Sequence, residues 1–231
     1  MTKEITGYLE TSLRESIVND VRDVAHFHAH PPRKTEAGFF SIPREVFCYV
    51  DFLGHIALGK DNTESAVSFI RDYFPPSYRD YAALVYSMWR HGTVHEYKPK
   101  AYHANFASQS PKRINVAWLS NNDNTHVTRK AHLKFFPMEG KRGKIYLCIN
   151  ICQLVDDLIA GLDNFVKKLK SDSKLKRACQ RRLNDVMKPK PYTSIRSPRW
   201  QNVVYQEIGL AWKNRLTIKL DKFGNPVRKK K

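Results

Sequence analysis

The feature that most constrains this chain is a succession of apolar stripes at three- and four-residue spacing in its first hundred positions. Ile5, Leu9, Leu13, Ile17, Val21 and Val24 recur through residues 3–26 with Glu, Arg and Asp between them. That period turns one side of an α-helix inward and leaves the other in water. His28-Ala29-His30-Pro31-Pro32 ends the stretch, because a residue preceding proline is steered out of the helical region. Ser41-Ile42-Pro43 opens a second helix with Val46, Phe47, Val50, Leu53 and Ala57 inward and Gly59 as its stop. Asn62-Thr63 starts a third, with Ala66, Val67, Ile70, Tyr73 and Phe74 inward, and Pro75-Pro76 closes it. Ser77 and Asp80 have capping-box spacing for a fourth. Tyr81, Leu84, Val85 and Met88 make its face, which runs into Arg90. Gly92, Thr93 and Val94 are poor helix formers, so this helix is expected to end near His95, ahead of Pro99.

After Pro111 the period changes from helical to alternating. Ile114, Val116 and Trp118 alternate, as do Val127, Ala131, Leu133 and Phe135, with Asn121-Asn122-Asp123-Asn124 between them as a hairpin loop. A turn at Gly140 to Gly143 precedes a third alternating run, Ile145, Leu147, Ile149 and Ile151. Leu154, Leu158, Leu162, Phe165 and Leu169 then restore the helical period over 153–169. The expected fold is mainly α: an antiparallel helical bundle over residues 1–170, with a small antiparallel β insertion at about 113–151. A basic C-terminal extension occupies 171–231. Within it Lys174 to Met187 reads as a helix, Lys188-Pro189-Lys190-Pro191 as a linker, 199–213 as an ordered stretch around Trp200, Tyr205 and Trp212, and 216–220 as a short strand.

Charge narrows the partners. The formal net charge is +18, and residues 171–231 alone carry 17 Lys and Arg against four Asp and Glu, a net +13. Such a chain attracts polyanions, nucleic acid first among them. No apolar run approaches the roughly 20 residues of a membrane span, and the first residues lack the apolar core of a secretory signal, so a cytoplasmic protein without a membrane partner is expected. Cys48, Cys148, Cys152 and Cys179 offer no second close-spaced pair for zinc and no disulfide framework. Free thiols are expected.

At the end of the fourth helix stands Arg90-His91-Gly92-Thr93-Val94-His95-Glu96. This resembles the Arg-x4-6-His signature of the HEPN superfamily, helical bundles that include many metal-independent ribonucleases of toxin and antiviral systems. The resemblance covers about residues 1–170, and the sheet would be an insertion in the minimal bundle. It implies that Arg90 is the family's arginine, His91 the polar residue that commonly follows it, and His95 the family's histidine. It also implies no cofactor, no metal, and a homodimer in which two copies of the motif face one composite cleft.

The chemistry suits RNA, which carries its own nucleophile in the 2′-OH. Cleavage needs a base, a cation on the phosphorane and an acid for the leaving 5′-oxygen. His95, as an imidazole with a pKa near ~6.5, transfers protons; Arg90 stays charged and grips phosphate oxygens in pairs; His91, four residues before His95, assists. Lys98, Lys100, Arg177, Arg181 and Arg182 add phosphate contacts. Trp200, Tyr205 and Trp212 offer faces for unpaired bases.

Competing readings attach to the same letters. Arg22 and His28 also fit the spacing, but Arg90 ends the better-formed core helix and precedes Lys98 and Lys100. In a purely structural role Arg90 pairs with a carboxylate, and His95 satisfies helix-terminal carbonyls. His26, His28 and His30 alternate and could take a metal. Asp51 and His55 lie one helical turn apart, as an orienting pair or a buried hydrogen bond. Asp80 with Glu96-Tyr97-Lys98 evokes a metal-dependent nuclease, but the Asp80 segment reads as helix. Asp156-Asp157 sits early in a helix, where negative charge is favoured. The expected function is thus an endoribonuclease of toxin or phage-defence type, with an antitoxin or regulatory protein as a further partner. The alternative is a non-catalytic RNA- or DNA-binding module.

Overall fold

The computed structural model describes residues 4–25, 40–95, 98–105, 113–121, 129–137, 144–188 and 198–213. The first helix, α1, alternates α-helical turns at Ile5–Tyr8 and Arg14–Ile17 with π-helical turns at Leu9–Leu13 and Val18–Arg22. Ile5, Leu9, Ile17 and Val21 of its stripe are fully buried. Helix α2 (Ser41–Leu58) ends on Gly59, whose φ of 80° lies where only glycine is unstrained. Helix α3 (Thr63–Tyr73) starts on Asn62, whose side-chain oxygen accepts the Ser65 N–H at 3.0 Å.

Ser77 and Asp80 do not form a capping box. Pro76–Tyr78 is a 3₁₀ turn, and α4 begins only at Ala82, after an uncapped Tyr81. Pro75 is extended, with ψ 146°, and Pro76 opens the 3₁₀ turn, a first-turn position where a missing N–H costs nothing. Helix α4 runs over Ala82–Tyr86, widens into a π-turn at Ser87–His91, and returns to α-helix over Gly92–His95.

The sheet has order β1-β2-β4-β3, with β1 Tyr102–Asn105, β2 Arg113–Asn121, β3 Phe135–Pro137 and β4 Lys144–Asn150. Its outer pairs, β1 with β2 and β3 with β4, are antiparallel, although β1 lies before the expected insertion. The central pair is not. Strands β2 and β4 run parallel, with Trp118 opposite Leu147. Strands β2 and β3 are not neighbours in the sheet, so the hairpin pairing expected between them is not found among the described residues; Asn122, Asp123 and Asn124 lie outside them. After β2 the chain reaches a 3₁₀ turn at Arg129–Ala131 and the short β3, which pairs with β4 instead. Alternation placed β2 and β4, but of the run through Val127, Ala131, Leu133 and Phe135 only Phe135–Pro137 is strand. The buried run Leu147-Cys148-Ile149 suits the inner position, where both faces are covered.

Strand β4 passes directly into α5 (Ile151–Ser171), capped by the Asn150 side chain on Gln153 N–H at 2.9 Å. Leu154, Leu158, Leu162, Phe165 and Leu169 are all fully buried, each contributing about 1.5–3 kcal/mol of transfer free energy. Helix α6 (Ser173–Met187) sends Cys179 and Leu183 into the same core. The first compact unit accordingly ends at Met187, not at residue 170. A basic helix with a few buried side chains packs like any other. The second unit begins at Lys188 and contains α7 (Pro198–Lys213), with Tyr205 83% exposed. The strand expected at 216–220, and the terminal charge run, lie outside the described residues. No helix among the described residues is long and apolar enough to cross a membrane.

Candidate active site

Arg90 and His91 sit on the π-turn of α4, and that turn decides what they meet. A π-turn bonds residue i to i+5, so His91 returns to the side of Tyr86: their rings meet edge to face, with centroids 5.4 Å apart. Arg90 points toward α2, where its Nε donates to Asp51 Oδ2 at 2.7 Å. Tyr86 donates its hydroxyl to the other oxygen, Asp51 Oδ1, at 2.6 Å. One carboxylate thus fixes both a guanidinium and a phenol. Asp51 and Arg90 keep 25% and 22% of their side-chain surface exposed, so the pair is accessible to an anion. Burial opposes the charge on Arg90, but the hydrogen bond and charge of Asp51 outweigh it and raise its pKa. Burial, then the Asp51 hydrogen bond, pushes the Tyr86 phenol far up, so it stays a neutral donor.

The wide turn is held from outside by the segment that follows the helix. Lys100 N–H donates to the Met88 carbonyl at 2.8 Å. There the chain crosses directly over Gly92: a Cβ at that position would stand 2.5 Å from both Lys98 O and Lys100 N. Only glycine fits. Thr93, buried beside it, bonds the Trp89 carbonyl through its hydroxyl at 2.5 Å. Thr63, at the start of α3, lies 3.5 Å from His91 Nε2, a long contact rather than a strong bond.

The structure joins Arg90 and His91 to one carboxylate-centred cluster. His95 ends the helix, but its side chain lies outside the described residues. Lys98 is exposed and Lys100 half-buried, immediately beyond the motif. Arg177 and Arg181 are exposed on α6. Arg182 is not presented in the same way: its Nη1 donates to the carbonyls of Ile56 at 2.9 Å and Ala57 at 2.5 Å, capping the end of α2. Asp51 proves to hold Arg90 and Tyr86, whereas Nδ1 of His55 is buried with no hydrogen-bond partner among the described residues. Arg22 instead lies 3.9 Å from Asp156. His26, His28 and His30, and the side chains of Trp200 and Trp212, lie outside the described residues. Among the described residues no group of three or more His, Cys, Asp or Glu is placed to hold a metal.

No protein-family model matches the chain, and no curated protein or solved structure matches it. The function therefore rests on the site itself.

Sequence reasoning missed a second cluster altogether. Tyr78 donates its hydroxyl to Asp157 Oδ2 at 2.9 Å and lies 2.7 Å from His132 Nε2. Asn150 N–H donates to His132 Nδ1 at 3.0 Å, so the neutral ring carries its proton on Nε2. Gln153 donates to Asp157 Oδ1 at 2.8 Å. A Tyr, a His and an Asp in contact have the makings of a proton relay, but His132 and Asp157 are only 5% and 7% exposed. No substrate reaches them. The cluster ties the turn before α4 to the junction of β4 and α5. The paired Asp156-Asp157 divides accordingly: Asp156 meets Arg129 at the surface at 2.9 Å, and Asp157 is the buried acceptor.

Proposed function

We propose that this protein is a HEPN-type endoribonuclease that cleaves RNA without a metal or cofactor. The observation that supports it best is the Asp51-held Arg90: a guanidinium fixed through Nε at a part-exposed surface, within the motif that resembles the family's. Fixing Nε leaves the two Nη nitrogens to meet two phosphate oxygens without first being ordered. Arg90 then stabilises charge on the phosphorane as the 2′-OH attacks. His95 transfers the proton, and His91 assists from the same turn. Tyr86 completes the hold on Asp51.

The same reading takes the active form as a homodimer, with two motifs across one composite cleft, acting as a toxin or phage-defence effector under an antitoxin or regulatory partner. Lys98, Lys100, Arg177 and Arg181 would supply sequence-independent phosphate affinity. The second reading is the non-catalytic RNA- or DNA-binding module, favoured by the pairing of Arg90 with a carboxylate, which a purely structural arginine would also make.

Cleavage of a labelled RNA in excess chelator separates the two. Arg90→Ala and His95→Ala are each expected to lower the rate by about a hundredfold or more, while binding through the remaining cations changes little. Cleavage that requires added Mg²⁺, or that survives His95→Ala, would sink the ribonuclease reading and leave the binding module.

A further inference from the structure

On the far side of Cys48 from Asp51, α1 and α2 leave a groove of about 330 Å³, at the small end of the range for ligand pockets. Its walls include the rings of Tyr8, Tyr49 and Phe52, with Ser16, Glu45 and Cys48 between them. The three rings are half-buried against the core, and Tyr49 is pinned further by its hydroxyl, which donates to Asp20 at 3.2 Å. The groove thus has aromatic walls. Such walls suit a flat, unpaired ring system.

Its position matters as much as its shape. Cys48 lies three residues before Asp51 on α2, so the two are neighbours on the helix surface, and Asp51 holds Arg90 at 2.7 Å. The guanidinium is near enough for its charge to act on the Cys48 thiol, although burial, the larger influence, raises that thiol overall. Cys48 therefore stands between the groove and the Asp51–Arg90 pair. Its charge is opposite to that of the chain. In a protein of formal charge +18, the groove presents a carboxylate, and no ion pair is found for Glu45 among the described residues. A phosphate would be repelled there. A base edge rich in N–H donors would not.

We infer that this groove holds a guanine base of the RNA whose neighbouring phosphate Arg90 grips, with Glu45 reading the base. Guanine alone among the four bases sets two donors, N1–H and the exocyclic amine, side by side on its Watson–Crick edge, matching the two oxygens of a carboxylate. Adenine and cytosine set one amine beside an acceptor, and uracil flanks its one N–H with two carbonyls that a carboxylate opposes. The inference rests on the ribonuclease reading for its substrate and adds the specificity of that site.

Binding of guanosine, adenosine, cytidine and uridine 3′-monophosphates to the full chain tests it without requiring turnover. Guanosine monophosphate is expected to bind roughly tenfold tighter than the others, since a bond to a charged group is at stake. Glu45→Gln should bring the four within about twofold to threefold of one another, and Arg90→Ala should weaken all four together. Cys48→Phe, which fills the groove, should abolish the preference by a different route. Equal binding of the four nucleotides, or a guanine preference that persists in both Glu45→Gln and Cys48→Phe, would overturn the assignment. Cleavage of RNA in chelator is scored separately. Cleavage with no base preference removes the groove and keeps the nuclease; guanine-selective binding without cleavage keeps the groove and removes the nuclease.

Discussion

Two clusters in this protein are built from nearly the same parts, and they differ in how far water reaches them. Tyr78-Asp157-His132 and Tyr86-Asp51-Arg90 each centre on an aspartate that accepts a tyrosine hydroxyl and holds a basic group. The first is sealed, with its carboxylate 7% exposed; the second keeps a quarter of its carboxylate in solvent. In the sealed cluster the polar groups satisfy one another, and burial with the Asp157 charge drives the Tyr78 phenol far above its ordinary range. Nothing is left over for a ligand. In the open cluster a permanently charged group replaces the histidine, and a phosphate can approach it. Chemistry of the residues alone does not distinguish a structural triad from a site. Access does.

Removing the acceptor of the sealed cluster should produce the largest change. Asp157→Ala leaves the buried Tyr78 hydroxyl and the Gln153 amide without their acceptor, at a cost of about 1–3 kcal/mol for each. Urea denaturation would register that loss, while the folded fraction should still cleave RNA at close to the normal rate. A stable Asp157→Ala protein that has lost cleavage would reverse the roles given to the two clusters.

Gly92→Ala should come next. Its new Cβ meets two backbone atoms at 2.5 Å, and overpacking of this kind costs about 1–3 kcal/mol. Because the displaced strand of chain is the one that closes the π-turn, cleavage should fall alongside the melting temperature. Cleavage that persists in Gly92→Ala while the melting temperature falls would show that the turn does not position Arg90.

The open cluster predicts the opposite balance. Asp51→Asn should lower stability by only about 1 kcal/mol, since both partners are partly solvated. The rate of cleavage should drop roughly tenfold to a hundredfold as the guanidinium loses its fixed direction. Asp51→Glu, which keeps the charge but shifts it, should recover part of the rate. If Asp51→Asn destabilises as strongly as Asp157→Ala and leaves guanosine monophosphate binding unchanged, Arg90 is a structural arginine.

The contrast also shows what could be read from the sequence. The helical stripes were legible because burial follows period: Leu154, Leu158, Leu162, Phe165 and Leu169 line one face and are all buried. The pairing of β2 with β4 was not, because alternation records which face is apolar and says nothing of which strand lies alongside. Arg90 and His91 stood out by type and spacing. Asp51 was noticed, but with His55 as its companion, since the π-turn that swings Arg90 toward α2 leaves no mark in an apolar pattern. The Asp157 cluster joins residues 78, 132, 150 and 157, too far apart for any motif. Arg182 looked like a phosphate contact and caps a helix, because a cation's count in a basic stretch does not give its direction.

A third carboxylate, with 52% of its side-chain surface exposed, extends the comparison and should yield the smallest effect. Glu4 accepts from Lys176 at 2.8 Å and from the hydroxyl of Thr6 and the N–H of Gly7, joining the start of α1 to α6. The Lys176 bond foremost, then that of Thr6, lowers its pKa from 4.5 to about 2. A carboxylate whose pKa falls on folding stabilises fully above its unfolded value and loses that contribution as the pH drops through the folded one. Here the window is between about 4.5 and 2. Side chains this exposed are screened, so the contribution stays below about 1 kcal/mol. Lys176→Met should move the Glu4 carboxyl back toward the ordinary range in an NMR titration and shift the melting temperature only slightly near neutral pH. If that substitution instead destabilised the protein as much as Asp157→Ala, exposure would not be what separates the clusters, because a solvated carboxylate would then carry as much of the fold as a buried one.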